Sequence, residues 1–374
     1  MSWDHFFNSL SRYYYNLRQE LPPTQDTIYR QRGHLKGITP NEVKGLEAVL
    51  QVVQVIAKYD EMSRIAICDH PGWKVLHSLI GLVSCAVPIP LKGVLVRTLA
   101  TLAKSPESSS TIWQSLEAAQ ILSTIPTTSS YQPRGVQTEL EEIESRNEEY
   151  PLTRAMLELF DVLTDFPIPR LLGVGQRHPG FDPYLQYIIN AVFLRFNTRS
   201  YKNPAEKWEV ANSCLKIFLK LLKQYEPAVE DFIGCKVELQ SGESTIVNPA
   251  PGYHIMTQLH SNTEFLRIIL YILDDGCNYF DTYDSFARKK FLEVCTLYCL
   301  EVLEHGLKTQ YQYMSQLSAV TSTNKIVTGL SRFLLVEPDY QPGQPIVRIA
   351  SIHSSMQVLT SKQRPRKICI IGKF

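Results

Sequence analysis

Residues 203–225, NPAEKWEVANSCLKIFLKLLKQY, carry the longest helix signal in the sequence. Asn203 can cap a first turn, and Pro204 suits the first helical position, where no backbone N–H is needed. The apolar residues that follow cover more than half of the helix circumference, which is typical of a helix packed between neighbours. We therefore predict a helix over 208–225. Four of its large side chains are expected in the core: Trp208, Leu215, Phe218 and Leu222.

The same start signals recur along the chain. Thr39, Pro40 and Glu42 form a capping box, in which the Thr39 hydroxyl and the Glu42 carboxylate each bond the other's backbone N–H. Apolar residues then repeat at three- and four-residue steps up to Ala57. Further helices are predicted at the starts marked by proline and over two later stretches: Pro71, Pro90, Ser105-Pro106, Pro151, Asp182-Pro183, 263–273 and 283–307.

About ten helices of roughly 15 residues, with no strand–helix–strand alternation, favour stacking of each helix pair on the next. We predict an all-α fold, an irregular α-solenoid of HEAT- and armadillo-like stacked antiparallel helices over residues 1–335. It would include a polar loop near 123–137. The pattern around Ser241-Gly242 is compatible with at most one short β-hairpin near 236–247. Residues 336–374 show no helical period and are predicted to be an irregular or disordered C-terminal tail.

The composition bounds the class of protein. The chain is 44% hydrophobic and 20% charged, which is enough apolar surface for a packed core. The formal net charge is +1, whereas a dedicated nucleic-acid binder usually has a basic surplus. The cysteines lack the short, even spacings of a disulfide framework and are expected to be reduced, buried thiols. They number eight: Cys68, Cys85, Cys214, Cys235, Cys277, Cys295, Cys299 and Cys369.

Two stretches bear on secretion and membranes. Residues 1–10 are polar and aromatic, with Asp4 and His5 where a signal peptide needs an apolar core. Residues 75–91 have low polarity but contain Pro88 and Pro90 and are shorter than the ~20 residues of a membrane span. We predict an intracellular, soluble chain with no transmembrane segment.

Three clusters could in principle carry chemistry. Cys295 and Cys299 are four residues apart with His305 nearby, but zinc usually takes two short-spaced ligand pairs and no second pair is present. The adjacent residues Cys68, Asp69 and His70 point in different directions on a helix, so a nucleophilic site is not favoured. The third is an acidic run, interpreted as a solvated helix face: Glu139, Glu141, Glu142, Glu144, Glu148 and Glu149.

Two further motifs are weak. Gly173-Val174-Gly175 lacks a preceding strand and the later glycine and lysine of a phosphate loop, so it is interpreted as a loop. The basic residues near the C-terminus are interpreted as a solvated tail rather than a nuclear address: Lys362, Arg364, Arg366 and Lys367. We predict no catalytic, cofactor-binding or metal-binding residues and no enzyme activity.

Six stretches carry a resemblance to a known family. In order and spacing they resemble the large inner-ring scaffold nucleoporins of the nuclear pore complex, of the two-hundred-and-five and one-hundred-and-ninety-two type, from residue 2 to about 313. The stretches are 2–10 SWDHFFNSL, 113–117 WQSLE, 142–154 EIESRNEEYPLTR, 180–186 GFDPYLQ, 192–196 VFLRF and 205–211 AEKWEVA.

The resemblance implies a helical solenoid without catalytic residues. It also implies a location in the nucleus, in the nuclear pore complex of the nuclear envelope. It implies a structural role in the inner ring, supporting nucleocytoplasmic transport, with other scaffold and linker nucleoporins as partners. Neither a small-molecule substrate nor direct contact with nucleic acid is implied. The absence of any Phe-Gly dipeptide is typical of scaffold members. Because family members are several times longer, we expect this chain to match an internal fragment.

A soluble adaptor of the armadillo or importin type is the alternative function. Such adaptors repeat Trp and Asn at matching positions of successive repeats. Here Trp73, Trp113 and Trp208 are unevenly spaced, with no Asn at a fixed offset. The spacing therefore favours the scaffold interpretation over the adaptor.

Overall fold

The computed structural model describes residues 2–19, 39–122, 135–169, 172–173, 180–233, 235–238, 244–247, 249–261, 263–279, 286–320 and 329–330. The chain divides into two compact units, unit 1 (Met1–Pro183) and unit 2 (Tyr184–Phe374). The predicted tail, 336–374, lies outside the described residues, so its boundary stays a prediction.

The helices of the first part of the chain are α1 (Trp3–Gln19), α2 (Pro40–Tyr59), α3 (Glu61–Asp69), α4 (Val75–Ser84), α5 (Ile89–Leu102), α6 (Pro106–Ala118), α7 (Val136–Glu139), the π-helix π1 (Leu140–Glu144), α8 (Ser145–Asn147) and α9 (Pro151–Leu163). They are followed by α10 (Asp182–Gln186), the π-helix π2 (Tyr187–Phe193), α11 (Pro204–Lys223), α12 (Glu230–Ile233), the strands β1 (Cys235–Glu238) and β2 (Ser244–Val247), α13 (Pro251–His260), α14 (Glu264–Tyr279) and α15 (Phe286–Val320).

Unit 1 is organised around α5, which packs against α2, α4 and α9. Leu95 and Leu99 on α5 are buried, as are Leu50 and Val53 on α2. Gln54 adds a polar tie between the two helices, because its side-chain amide donates to the Val94 carbonyl oxygen at 3.2 Å and to the Thr98 hydroxyl at 2.9 Å. The amphipathic helices of unit 1 thus bury their apolar faces against one another, both between the neighbours α4 and α5 and between α5 and the more distant α2 and α9.

Unit 2 is organised around α11, which packs against π2, α13 and α15. Its core contains a cluster of aromatic rings, with the Phe218 centroid 5.1 Å from those of both Phe193 and Phe265. Trp208 lies next to Phe196, with ring centroids 5.9 Å apart. The four side chains predicted to be buried on this helix are fully buried, which confirms the prediction: Trp208, Leu215, Phe218 and Leu222.

The predicted helix starts are formed by the predicted residues. The Glu42 N–H donates to the Thr39 hydroxyl at 3.3 Å, and the Thr39 N–H donates to the Glu42 carboxylate at 2.8 Å, which completes the capping box. At α11 the Asn203 side chain accepts from the Ala205 N–H at 3.0 Å. The Ser105 hydroxyl caps α6 in the same way, by accepting from the Ser108 N–H at 3.2 Å.

Several predicted boundaries are wrong. α11 begins at Pro204, four residues before the predicted start, because proline occupies its first turn. α15 continues to Val320 instead of ending near residue 307, and α14 continues to Tyr279 instead of ending near residue 273. The polar loop near 123–137 is outside the described residues over 123–134, and Val136 already belongs to α7.

The predicted short hairpin is present. β1 and β2 pair antiparallel with Cys235 opposite Val247 and Glu238 opposite Ser244. Within the described residues these are the two strands of one two-stranded sheet, and all other regular elements are helices. The predicted fold class, an all-α solenoid of stacked helices with at most one short hairpin, is therefore confirmed. In the described ranges, no helix combines the length and the apolar character needed to cross a bilayer.

Candidate functional site

The pair Cys295 and Cys299 lies on α15 and faces the core of unit 2. Both thiols are fully buried, and burial raises their pKa values well above the ordinary range. The Cys295 S–H donates to the Trp208 carbonyl oxygen at 3.2 Å. Across the ranges that the structure describes, no three His, Cys, Asp or Glu side chains are grouped as metal ligands would be. The geometry gives these two residues a packing role against α11.

The sequence Cys68-Asp69-His70 ends α3, and its side chains diverge. The Cys68 sulfur lies 4.0 Å from the Leu102 carbonyl oxygen, and burial raises its pKa to about 11. The His70 ring stacks instead on Trp73, with centroids 4.0 Å apart. A thiol with so high a pKa is a poor nucleophile at neutral pH. This triplet therefore serves as the end of a helix.

The interpretation of the acidic run as a solvated face is wrong for Glu144 and Glu139. Glu144 on π1 is buried, and its carboxylate accepts from the backbone N–H groups of Leu152 at 2.7 Å and Thr153 at 3.2 Å. The Thr153 hydroxyl donates to the same carboxylate at 2.5 Å. Glu144 thereby caps the first turn of α9, whose own N-cap residue, Tyr150, makes no side-chain cap bond. Glu142 in the same run is exposed, as predicted.

Glu139 on α7 forms an ion pair with Lys92 on α5, and the lysine is buried. Lys92 and Glu139 join α5 to α7, and Glu144 and Thr153 join π1 to α9; we call these four residues of unit 1 the buried acid cluster. Burial raises the pKa of Glu139, whereas the Lys92 charge opposes that rise. A signal for Glu144 existed in the sequence, since Tyr150-Pro151 starts a helix without a Ser, Thr, Asp or Asn cap.

The remaining sequence candidates are only partly described. Gly173 has φ of 76°, a left-handed conformation that suits glycine in a loop, while Val174 and Gly175 lie outside the described residues. The basic residues between 362 and 367 also lie outside them. Their interpretation as a solvated tail stays a prediction.

Sequence reasoning did not single out an exposed apolar row on α2 and α3. Val52, Val55 and Tyr59 follow one another at three- and four-residue steps on α2, and Val55 and Tyr59 are 58% and 78% exposed. Met62 and Ile65 are exposed on the following helix, α3, which begins after the extended backbone of Asp60, and Met62 is 74% exposed. We call these five side chains the α2–α3 row. Apolar side chains grouped on a helix surface are typical of a protein contact.

These features define a class of protein, an α-solenoid whose buried polar groups hold helices together and whose helix surfaces carry some exposed apolar side chains. A protein-family model described as Nup192, nuclear pore complex scaffold, nucleoporins 186/192/205, matches residues 1–361. The chain belongs to this family of nuclear pore complex scaffold nucleoporins. The resemblance inferred from the six sequence stretches is therefore confirmed.

Three relatives illustrate the similarity. The chain is 43% identical to "Nuclear pore complex protein Nup205" of Homo sapiens over 353 residues, which cover 94% of this chain and 17% of that protein. It is 42% identical to the protein of the same name in Drosophila melanogaster over 339 residues, 90% of this chain and 16% of that protein. Identity to "Nuclear pore complex protein NUP205" of Arabidopsis thaliana is 27% over 204 residues, 51% of this chain and 10% of that protein.

The chain thus spans less than a fifth of the length of the curated relatives that it matches. By their names these relatives are components of the nuclear pore complex, which is the location that the sequence resemblance implies.

Proposed function

We propose that the chain is a structural segment of the inner ring of the nuclear pore complex, where it holds short segments of linker nucleoporins without catalytic turnover. Membership of the scaffold nucleoporin family, shown over residues 1–361, is the observation that carries this proposal. The folded core supports it, because stacked helices in each unit bury their apolar faces and leave helix surfaces for contacts.

The α2–α3 row is the surface that we assign to such a partner segment. On α2 the side chains of the row are three and four residues apart and therefore share one helix face, against which the apolar face of an amphipathic partner helix can pack. Charges of both signs flank the row, with Lys58 and Glu61 at the junction of the two helices. With a formal net charge of +1, the chain offers no strong electrostatic steering. We infer that apolar contact dominates and that binding depends weakly on salt.

The test immobilises the chain, exposes it to nuclear-envelope extract at low and high salt, and identifies the retained proteins by mass spectrometry. We expect linker nucleoporins to be retained at both salt concentrations. Val55→Asp places a charge in the middle of the row and should reduce retention at least about tenfold, because a buried unpaired charge at a contact costs several kcal/mol.

Ile143→Asp is the matched control, since Ile143 is also exposed in unit 1 but lies on π1 outside the row. It should leave retention unchanged. Equal loss in both variants would contradict the assignment of the row. Retention of soluble transport cargo without nucleoporins would instead favour the adaptor function.

A further inference from the structure

Unit 2 contains a buried histidine whose two nitrogens have very different surroundings. His260, at the end of α13, is fully buried. Its Nδ1 accepts the backbone N–H of Leu330 at 2.9 Å. Its Nε2 is also buried and, among the described residues, has no hydrogen-bond partner. Because Nδ1 is an acceptor here, the ring is neutral and its single proton is on Nε2.

Leu330 is held by side-chain packing as well as by this bond. Its side chain is fully buried and lies over Gly306 of α15, where an added Cβ would come within 3.0 Å of the leucine Cδ2 and 3.2 Å of Leu259 Cδ1. The preceding residue, Gly329, has φ of 76°, a conformation that orients the chain for this contact and that favours glycine. Residues 329–330 are thus seated on both α13 and α15.

The groups that face the imidazole are aromatic. The Tyr313 ring of α15 stacks on His260 with centroids 5.2 Å apart, and its hydroxyl is bonded to that of Thr257 on α13 at 2.8 Å. Tyr253 of α13 lies beyond it, 6.0 Å from Tyr313. The charged group of this cluster is Asp231, which accepts from the Tyr225 hydroxyl at 2.9 Å rather than from the histidine. Among the residues that the structure describes, no carboxylate is paired with the His260 ring.

We propose that neutral His260 is a latch that fastens the chain at Leu330 across α13 and α15, and that protonation of the imidazole opens it. A proton on Nδ1 would point at the Leu330 N–H, so two donors would face each other and the bond would be lost. The imidazolium would also lack a partner in an apolar, aromatic site. The latch is therefore closed at neutral pH and is undone by acid without any change in the cores around α5 and α11.

Burial lowers the pKa of His260 from 6.5 to about 4, which agrees with this geometry. Because the folded pKa is depressed, the contribution of the latch is fully present above pH 6.5 and is lost as the pH falls towards 4. The latch is therefore expected to open in the acidic range between pH 6.5 and about pH 4.

Hydrogen exchange of the whole chain, read by mass spectrometry on a peptide that contains the Leu330 amide, tests the latch. After correction for the intrinsic pH dependence of exchange, the protection factor of the Leu330 amide in the parent chain should fall at least about tenfold between pH 7 and pH 4. The reason is that each unit of difference in pKa corresponds to a tenfold change in the equilibrium. Amides of α11 serve as the reference and should keep their protection. Unchanged protection at Leu330, or equal loss in α11, would overturn the proposal.

Two variants distinguish the effect of the hydrogen-bond acceptor at the Nδ1 position from the effect of side-chain size. His260→Asn places an amide oxygen near the Nδ1 position and cannot be protonated in this range, so protection at Leu330 should persist down to pH 4. His260→Gln extends past that position and should lose protection at every pH, while α11 stays protected. Protection in the Gln variant equal to that of the parent, or a loss of protection with falling pH in the Asn variant, would overturn the latch.

Discussion

A glycine allows two helices of unit 1, α5 and α9, to pack closely. Gly93 on α5 faces the start of α9, and an added Cβ would lie 2.9 Å from the Pro151 carbonyl oxygen. That oxygen belongs to the backbone, so it cannot rotate away as the tip of a side chain could. Gly45 on α2 is also a helical glycine, but a Cβ added there would have no neighbouring atom within 4 Å. The two glycines therefore isolate a packing effect from a helix-propensity effect.

Gly93→Ala should lower the free energy of unfolding by about 1–3 kcal/mol, because α5 and α9 must move apart. Gly45→Ala should raise it by about 0.5–1 kcal/mol, since alanine is the better helix former and meets no neighbour. Urea unfolding followed by circular dichroism measures both. Stabilisation of the same size in the two variants would show that α5 and α9 are not in close contact at Gly93.

At the scale of elements, the buried acid cluster contains one contact between distant helices, Lys92 with Glu139, and one between neighbouring elements, π1 and α9. Glu144 reaches from π1 to buried backbone N–H groups in the first turn of α9 and replaces the local cap that Tyr150 does not provide. Burial raises the pKa of this carboxyl to about 7, although its hydrogen bonds from Thr153 and Leu152 act in the opposite direction. The junction between π1 and α9 thus contains a group that titrates near neutral pH.

A raised pKa in the folded state means that the folded chain binds this proton more tightly than the unfolded chain. The contribution of Glu144 is therefore fully present below its ordinary pKa of 4.5 and is lost as the pH rises through about 7. Glu144→Gln keeps the shape and removes the titration, so the variant should lose less stability between pH 4.5 and pH 7 than the parent. Chemical denaturation at a series of pH values measures the difference.

Glu142→Gln is the control, because Glu142 is exposed in the same acidic run. It should follow the parent across the pH range. If the Glu144 variant also followed the parent, the carboxyl would not be the group responsible.

At the scale of the whole molecule, each of the two compact units has its own apolar core, and the cysteines are part of that packing. Six cysteines in the described part of the chain carry free thiols: Cys68, Cys85, Cys214, Cys277, Cys295 and Cys299. Those of Cys214, Cys295 and Cys299 lie in the core of unit 2, where burial raises their pKa values. Reactivity of these thiols therefore reports on the integrity of the unit as a whole.

Under native conditions a maleimide should label Cys214, Cys295 and Cys299 only after unit 2 unfolds, and at one common rate, because thiolate formation and access both require opening of the core. Alkylation in denaturant should modify all eight cysteines without prior reduction. Mass spectrometry of digested peptides gives both results. A bridged pair in the unreduced sample, or rapid native labelling of Cys295, would contradict the expected packing.

Much of the fold follows from the sequence because its signals are local. The caps at Thr39 and Asn203 and the burial of Trp208 and Phe218 depend on residues within one or two helical turns, so their spacing alone predicts them. The similarity to scaffold nucleoporins is likewise present in the letters of the chain.

Only the tertiary structure decided the rest. An acidic run looks solvated in the sequence, yet Glu144 is buried because α9 supplies N–H groups that need an acceptor. Similarly, His260 meets Leu330 seventy residues later, a separation that no periodicity encodes. Helical periodicity shows which face of a helix is apolar. The partner of a buried polar group depends instead on which elements pack together in the tertiary structure.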